Sequence, residues 1–314
     1  MALAQTEGIA RQLRAEVPGV EVEIVKFATA GDTDQVSKLL RHGGKGGAFV
    51  AEIRKAVCDG KLQAAMHSLK DVPGNEKPAG LTFGALLTRD SPVDSLVTRG
   101  GLSFAEIQRA HGRGVKIGTN SVRRAAYLRR LLPEVRVLHF RGAADTRIRK
   151  LDTLQPQRMP DGQAQEPVDG LVMARAGLER IGFADRIVHD FSAEEMLPAI
   201  GQGIVAVECA ERDFVTLGLL ARIDNAQSRL CSDAEREVLW ILNGHCNSPI
   251  AGHATVSGSD MTLRAAVIDE DGNKFIEVQR DGSFDHPREL GRAVGLELLA
   301  CGASEIIERT RPDP

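Results

Sequence analysis

The strongest constraint on the fold of this chain is a repeated pattern, in which a short apolar stretch leads into a polar loop and then into a helix. In one copy, residues 115–117 lead into the loop 118–121 and a helix over residues 122–132. In the next copy, residues 135–140 lead into Arg141-Gly142 and another helical stretch. Alternating strands and helices predict parallel α/β sheets, whose binding sites lie beyond the carboxyl ends of the strands. We therefore expect the functional residues in these polar loops.

The rest of the chain contains more units of this kind and a different C-terminal part. The same periodicities predict a strand at 20–27, a helix from Phe49 to Gly60, and strands at 64–66, 170–174 and 204–208. From Asn225 the pattern changes to one long helix, three hairpin-like strands and a final helix, which predicts a separate α+β domain. Residues 225–314 are predicted to form this separate domain.

Positive charge is concentrated in one stretch of the chain. The 314 residues carry 40 Lys and Arg and 43 Asp and Glu, a net charge of −3. Residues 113–150 hold 11 basic residues and only two acids, Glu134 and Asp145, which gives +9. Such a field predicts an anionic partner, either a small polyanion or nucleic acid. Tyr127 and Phe140 are too few aromatic residues for a base-stacking surface, so we expect no nucleic-acid partner.

The hydropathy and the cysteine spacing are not those of a membrane protein, a secreted protein or a protein built on disulfide bonds. No stretch approaches the roughly 18 apolar residues of a membrane helix, and the first residues do not resemble a signal peptide, so we expect a cytoplasmic protein without membrane contact. The five cysteines are widely spread, which predicts neither a disulfide framework nor a metal site. Cys58, Cys209, Cys231 and Cys301 lie in patterned segments and are expected to be buried. Cys246 lies in a polar loop and is a candidate nucleophile or covalent attachment point.

The loop over residues 118–121 has two interpretations. Ser121 is either the N-cap of the following helix or, together with the loop N–H groups, part of an anion site. Arg123 and Arg124 stand in the first turn of that helix, where cations oppose the helix dipole. Ligand carboxylates would relieve that conflict. We therefore expect these two arginines to act on anion binding and to lack anionic partners in the ligand-free chain.

Several other charged side chains have either a functional or a structural interpretation. Arg141 and Arg147 are predicted carboxylate ligands, because a guanidinium group holds a carboxylate at two points. Arg149 and Lys150 are interpreted as a solvated helix face. Lys70-Asp71 is either a solvated turn or an acid beside a base, suited to proton transfer or to stabilising a cation.

Two further segments are interpreted as loops. Residues 43–47 are glycine-rich around Lys45 but fail the P-loop pattern, because Gly46 follows the lysine and the next helix is expected to start late. They are predicted to form a flexible flap. Residues 155–167, rich in Gln and Pro, are predicted to be exposed, mobile and without function.

Five segments, in order along nearly the whole chain, resemble the porphobilinogen deaminase family, also called the hydroxymethylbilane synthases. They are His67-Ser68-Leu69-Lys70-Asp71-Val72-Pro73, Gly118-Thr119-Asn120-Ser121-Val122-Arg123-Arg124, Arg141-Gly142 through Asp145-Thr146-Arg147 to Lys150-Leu151-Asp152, residues 198–203, and residues 244–252 around Cys246. The resemblance implies a transferase of tetrapyrrole biosynthesis that joins four porphobilinogen molecules head to tail and releases ammonia. It also implies two α/β domains like those of periplasmic binding proteins, formed by residues 1–88 with 203–222 and by residues 92–198, followed by the small α+β domain over residues 225–314.

The resemblance further implies a cofactor and a set of site residues. The cofactor is a dipyrromethane, made from two substrate units and joined by a thioether to Cys246. Asp71 is implied as the catalytic acid, which assists loss of the amine and then stabilises the resulting cation. The implied partners are porphobilinogen and the growing linear polypyrrole, bound by a monomer. The positions that resemble cofactor- or substrate-binding residues are Ser68, Lys70, Thr119, Asn120, Ser121, Arg123, Arg124, Arg141, Gly142, Arg147, Arg180 and Gln202, with Phe49 lining the site.

The chain also departs from the family pattern. The family usually opens with a strand and a Gly-Thr-Arg-x-Ser stretch ahead of the segment that matches residues 2–5, so we expect the natural reading frame to continue upstream of Met1. Asn120 stands where Ser is common, and His245 where Gly is frequent. Residues 155–167 resemble an insertion away from the motifs. Two alternatives stay open, a noncatalytic two-domain anion-binding protein and a truncated, inactive deaminase.

Overall fold

The computed structural model of the protein describes residues 1–26, 45–159, 163–244 and 248–310, with the backbone alone for residues 45–49. The described α-helices are α1 (Ala2–Glu16), α2 (Lys45–Cys58), α3 (Phe104–Arg109), α4 (Val122–Leu131), α5 (Ala144–Asp152), α6 (Arg175–Arg180), α7 (Phe214–Leu220), α8 (Ala226–Ile241), α9 (Pro287–Ala300) and α10 (Ala303–Glu308). The described strands are β1 (Ala64–Ser68), β2 (Leu81–Leu86), β3 (Asp94–Thr98), β4 (Lys116–Thr119), β5 (Arg136–His139), β6 (Gly170–Ala174), β7 (Ile187–Asp190), β8 (Val205–Ala210), β9 (Ile250–Ser257), β10 (Asp260–Ile268) and β11 (Phe275–Ser283). Most of the predicted elements are therefore present, within a few residues of their predicted ends.

The described strands form three sheets. The first has the order β1-β8-β2, with β8 antiparallel to both neighbours. The second has the order β5-β4-β6-β3-β7, in which β4 is parallel to β5 and β6, whereas β3 is antiparallel to β6 and β7. The third is an antiparallel meander of β9, β10 and β11. The boundaries of the three domains stay a prediction.

The predicted α/β class is confirmed, but the expected strand directions are correct only in part. Parallel pairing holds for β5-β4-β6 and is wrong for β1-β8-β2 and for the pairs that β3 makes. The periodicity of a strand shows which face is buried but not the direction from which the chain enters the sheet. Strand β8 returns from the second sheet and therefore runs opposite to β1 and β2.

Two chain segments connect the first and second sheets, and they lie side by side. The N–H of Leu87 donates to the carbonyl of Val205 at 2.9 Å, and the N–H of Asp90 donates to the carbonyl of Gly203 at 3.0 Å. Gly203 has φ +90°, and a Cβ there would lie 2.4 Å from the Asp90 carbonyl oxygen. Only glycine fits this crossing.

The cores show how the sheets are held together. Helix α1 packs Ile9 and Leu13 against β2 and β8 in the first core. The core of the second sheet continues into the third, because Ala251, Ala266 and Ile268 pack with its residues. None of the described helices is both long enough and apolar enough to cross a membrane.

Two predicted elements near the start of the chain differ in the structure. In residues 20–26, Val20 and Val22 pack against the first core, yet no strand forms there, because the described backbone offers them no paired neighbour. Phe27 lies outside the described residues. Helix α2 already begins at Lys45, so the expected late start is wrong and Lys45 to Gly47 are helical rather than a flap. Gly43 and Gly44 lie outside the described residues.

The prediction that residues 155–167 are wholly exposed and remote from the motifs is wrong. Gln157 is 5% exposed, and its side chain accepts a hydrogen bond from the backbone N–H of Arg141. Glu166 pairs with Lys116 and Arg136. A polar composition predicts contact with solvent, but it does not show that the polar groups meet basic partners. Residues 160–162 lie outside the described part.

The cysteine predictions are half correct. Cys209 and Cys231 are buried, as expected, whereas Cys58 and Cys301 are exposed. Cys58 is the last residue of α2 and Cys301 is the C-cap of α9, so both lie where a helix leaves the core. Helical periodicity does not show where burial stops at the end of a helix.

Candidate functional site

A cleft of about 250 Å³ lies where the first and second sheets face each other. Its lining comes from α1, the turn after β1, the loop before β8, and helices α4, α5 and α6. The charged side chains in this lining are Lys70, Asp71, Arg124, Arg147 and Arg180. One exposed carboxylate therefore stands among four cations.

The position of the turn that carries Asp71 is fixed by Leu69, the first residue of the turn. The chain leaves β1 at Ser68 and forms a single 3-10 turn over Leu69–Asp71. Leu69 is 1% exposed, and its N–H donates to the carbonyl of Ile204 at 3.0 Å. Because this anchor is buried, the next two side chains, Lys70 and Asp71, point into the cleft. Ser68 lies beside them and exchanges hydrogen bonds with Gln5 of α1.

A buried carboxylate, Asp94, lies beneath the cleft at the start of β3. Arg123 donates to its Oδ2 at 2.5 Å, and Arg124 Nε donates to its Oδ1 at 2.9 Å. A second nitrogen of Arg123 donates to the carbonyl of Leu197 at 2.7 Å. Burial alone would raise the pKa of Asp94, but the two guanidinium groups hold that pKa well below its usual range. Asp94 is therefore ionised and anchors both arginines.

Gln202, in the loop before β8, connects the two sides of the cleft. Its side-chain nitrogen donates to the carbonyl of Pro92 at 2.6 Å and to Asp94 Oδ1 at 3.0 Å. Its side-chain oxygen accepts from Lys70 Nζ at 3.1 Å and from Arg124 at 3.5 Å. Lys70 belongs to the first sheet and Arg124 to the second. Gln202 is completely buried, so it joins the two sheets from inside the molecule.

Two of the cleft cations lack a carboxylate partner in the described part of the chain. Burial, and next repulsion from Arg124, lower the pKa of Lys70 to about 8. The same two effects lower the pKa of Arg147 to about 10, and its buried Nε has no hydrogen-bond partner. Arg180, by contrast, pairs with Asp90 on the connecting segment. The site therefore favours a ligand with carboxylates, which would compensate Lys70 and Arg147.

Two family models match the chain and together span most of it. "Porphobilinogen deaminase, dipyromethane cofactor binding domain" matches residues 1–217, and "Porphobilinogen deaminase, C-terminal domain" matches residues 229–300. The chain belongs to the porphobilinogen deaminase family. The predicted family, and with it the transferase class, are confirmed.

Curated porphobilinogen deaminases resemble the chain over almost its full length. That of Syntrophotalea carbinolica is 38% identical over 98% of this chain and 92% of its own. Porphobilinogen deaminase 2 of Streptomyces coelicolor is 39% identical, over 98% and 93%. Among solved structures, the sulfonate-binding protein SsuA of Methylobacillus flagellatus has 16% identity and a TM-score of 0.35, covering 77% of this chain and 62% of its own. That similarity is too weak to support an argument.

The described residues fit the carboxylates of the family's dipyrromethane cofactor. The unpartnered Nε of Arg147 and the partly uncompensated Lys70 face the cleft, and a pyrrole cofactor with acidic side chains would pair with both. Cys246, predicted to be the attachment point, lies outside the described residues together with His245 and Asn247. Its role stays a prediction.

The structure brings some of the predicted site residues together and separates others. Those that line the cleft are Ser68, Lys70, Asp71, Arg124, Arg147 and Arg180. Arg123 and Gln202 lie beneath it and are buried, and they bond to protein groups. The predicted positions outside the lining are Thr119, Asn120, Ser121, Arg141 and Gly142. The side chain of Phe49 lies outside the described part.

The loop before α4 shows the structural alternative for Ser121. The Ser121 hydroxyl accepts from the N–H of Arg124 at 3.3 Å, which makes it the N-cap of α4. The hydroxyl of Thr119 accepts from the N–H of Ser121 at 3.2 Å. The hydroxyl oxygens therefore shape the loop in this structure. Their contact with a ligand stays a prediction.

The expectation that Arg123 and Arg124 lack anionic partners is wrong. Both pair with Asp94, and elsewhere in the same basic stretch Arg113 pairs with Glu134. Counting charge along residues 113–150 missed Asp94 because this carboxylate comes from an earlier strand. Gln5 and Asp90 were missed for the same reason, since their partners Ser68 and Arg180 are remote in sequence. Only the short apolar strand that follows Asp94 could have suggested its burial.

Proposed function

We propose that this chain is a hydroxymethylbilane synthase, which joins four porphobilinogen molecules head to tail and releases ammonia. The observation that supports this most directly is that, among the described residues of the cleft, one exposed carboxylate, Asp71, stands with four cations. Porphobilinogen carries an acetate and a propionate, so a growing polypyrrole gains two carboxylates with each unit. Such a ligand needs several cations and one acid beside the reacting carbon.

Each cleft residue has a role that its position supports. The carboxyl group of Asp71 gives a proton to the leaving amine, and its carboxylate then compensates the substrate cation that forms. Lys70, Arg124 and Arg147 hold the acidic side chains of the ligand, and Arg180 does so at the edge of the cleft. The bound dipyrromethane supplies the pyrrole carbon on which the chain grows. Gln202 keeps Lys70 and Arg124 at a fixed separation.

The finer features of the proposal concern assembly and location. We infer that the enzyme works as a cytoplasmic monomer on small-molecule substrates and binds no nucleic acid. The described cleft of about 250 Å³ and its cationic lining support a small anionic ligand. Cys246 is the proposed site of the thioether to the cofactor.

The test is turnover combined with intact mass. Purified protein should consume porphobilinogen, form a linear tetrapyrrole and carry a covalent addition of two pyrrole units, which Cys246→Ser abolishes. If the chain binds carboxylates but carries no addition and consumes no porphobilinogen, it is a noncatalytic anion-binding protein and the proposal is wrong.

A further inference from the structure

Residues 155–167 hold cations at two opposite ends of the second sheet. At one end, Glu166 pairs with Lys116 at 3.0 Å and with Arg136 at 2.9 Å, the first residues of β4 and β5. These two cations lie at the amino ends of their strands, away from the loops that form the cleft. A carboxylate therefore cancels positive charge at the end of the sheet that lies away from the described cleft.

Gln157 holds the cations at the other end, where the chain leaves β5 and enters α5. Its Oε1 accepts from the backbone N–H of Arg141 and from Lys150 Nζ, both at 3.2 Å. Its Nε2 donates to the carbonyl of Arg158 at 3.1 Å, and its backbone carbonyl accepts from the N–H of Gln165 at 2.9 Å. With its side chain bonded at both ends and buried, Gln157 is fixed in place.

An amide and a carboxylate affect a bound lysine differently. Both accept its hydrogen bond, but only the carboxylate cancels its charge. The pKa of Glu166 is lowered to about 2, first by the hydrogen bonds from Arg136 and Lys116, as expected for a carboxylate that pairs with two cations. Within the described ranges no carboxylate pairs with Lys150, and burial followed by Arg149 lowers its pKa. Lys150 therefore keeps an uncompensated charge.

Lys150 lies next to the cleft, although it is not among the residues that line it, and its Nζ stands 5.9 Å from the centre of the Phe140 ring. It follows Arg147 by three residues on α5, so the two side chains share one face of the helix. Arg147 lines the cleft, and the N–H of Arg141 shares the Gln157 oxygen with Lys150. The same arrangement occurs on the other side of the cleft, where Lys70 donates to the amide oxygen of the buried Gln202.

We propose that Gln157 is a positioning residue, which fixes the Arg141 loop and places Lys150 beside the cleft as a further carboxylate-binding cation with its charge intact. The ligand's identity as a pyrrole polycarboxylate rests on the proposed function. The charge argument rests on contacts within the chain.

The test compares two variants of equal charge within one segment. Gln157→Glu keeps the size and the acceptor, adds a carboxylate at Lys150, and removes the donor to the Arg158 carbonyl. Gln155→Glu adds the same charge at an exposed residue for which the structure gives no side-chain bond.

Citrate is the probe, and its affinity is measured by calorimetry on the full chain. We expect Gln157→Glu to weaken citrate binding roughly tenfold, because unit charges this close interact strongly near a protein surface. KM for porphobilinogen should rise while kcat holds, and Gln155→Glu should match the parent in citrate affinity and in KM.

A second variant, Gln157→Leu, separates positioning from stability. Gln157→Leu removes the acceptor for the N–H of Arg141 and for Lys150. Citrate binding should weaken in this variant as well, because the Arg141 loop is no longer held in place. If Gln157→Glu binds citrate as the parent does, charge preservation is wrong. If Gln157→Leu lowers the melting temperature without weakening citrate binding, the positioning role is wrong. A parent chain that consumes no porphobilinogen would overturn the proposed function, while the citrate comparison would still decide the role of Gln157.

Discussion

The buried carboxylate of Asp94 holds three polar side chains of the site in place. It is 0% exposed and is bonded by Arg123, Arg124 and Gln202. Removing one partner of a buried ion pair leaves the other charges without compensation, which costs far more than a surface pair contributes. The cations of this site therefore contribute to stability as well as to binding.

We predict that Asp94→Asn lowers the free energy of unfolding by about 3–5 kcal/mol, because two buried guanidinium groups lose their counter-charge. Urea denaturation measures this. The control is Glu134→Gln, which breaks an exposed pair with Arg113 and should change stability by about 1 kcal/mol or less. Equal effects of the two substitutions would show that the Asp94 network contributes no special stability.

Asp71 is the opposite case, an exposed carboxylate with no described hydrogen bond to its side chain. Asp71→Asn should therefore leave the melting temperature unchanged while porphobilinogen turnover falls by about 10²–10⁴-fold, the usual contribution of a positioned acid or base. Asp59→Asn, at an exposed carboxylate near the end of α2, is the activity control. Turnover by Asp71→Asn within a few-fold of the parent would remove Asp71 from the catalytic role.

At the scale of elements, α8 holds the segment that follows Asp71. Arg236 donates to the carbonyls of Val72 at 3.2 Å and Pro73 at 2.9 Å. Gly74 packs against Leu239, where an added Cβ would lie 2.4 Å from the leucine Cβ. The helix of the C-terminal domain thus sets the position of a loop that belongs to the first sheet.

Gly74→Ala should lower the free energy of unfolding by about 1–3 kcal/mol, because it overpacks a close contact between two elements. Turnover should fall with it, since the displaced segment directly follows Asp71. Gly218→Ala is the matched control: the position is helical and a Cβ there meets nothing within 4 Å, so about 0.5–1 kcal/mol of stabilisation is expected. Thermal melting of both variants checks the pair. If Gly74→Ala leaves the melting temperature unchanged, Leu239 can move aside to make room for the added Cβ.

At the scale of the whole molecule, the pKa of Lys70 depends on both sheets. Burial lowers it from 10.5 to about 8, and the next cause is Arg124, which stands on the opposite side of the cleft. A neutral Lys70 cannot compensate a carboxylate. Anion affinity should therefore be highest below about pH 8 and fall as the pH rises through that value.

Ligand binding should also take up protons near pH 8, because a bound carboxylate raises the pKa of Lys70. Citrate titrations in two buffers of different ionisation enthalpy measure this uptake, and Lys70→Met should abolish it. Lys70 also makes the free energy of unfolding depend on pH. Between about pH 8 and 10.5 the unfolded chain binds more protons at this side chain than the folded chain does, so the contribution of Lys70 to stability rises with pH. An uptake that persists in Lys70→Met would assign it to another group.

The sequence predicts the local parts of this molecule better than the remote ones. The Lys70-Asp71 turn, the cap at Ser121 and helix α8 follow from a few neighbouring residues, and the structure has them where they were expected. The partners of Arg123 and Gln157 could not be predicted. Each depends on where a distant segment returns, and side-chain periodicity carries no information about that.

Strand β8 has a consequence for the order of events during synthesis. It is the middle strand of the first sheet, yet β1 and β2 are complete by residue 86 and β8 begins only at residue 205. On a ribosome adding roughly 5–20 residues per second, the two outer strands must wait several seconds without the strand that joins them. The second sheet, whose strands all lie between, can pair first. The N-terminal part of the chain is therefore made first, but its sheet is completed only after the second sheet can form, with its strand edges open to chaperones in the meantime.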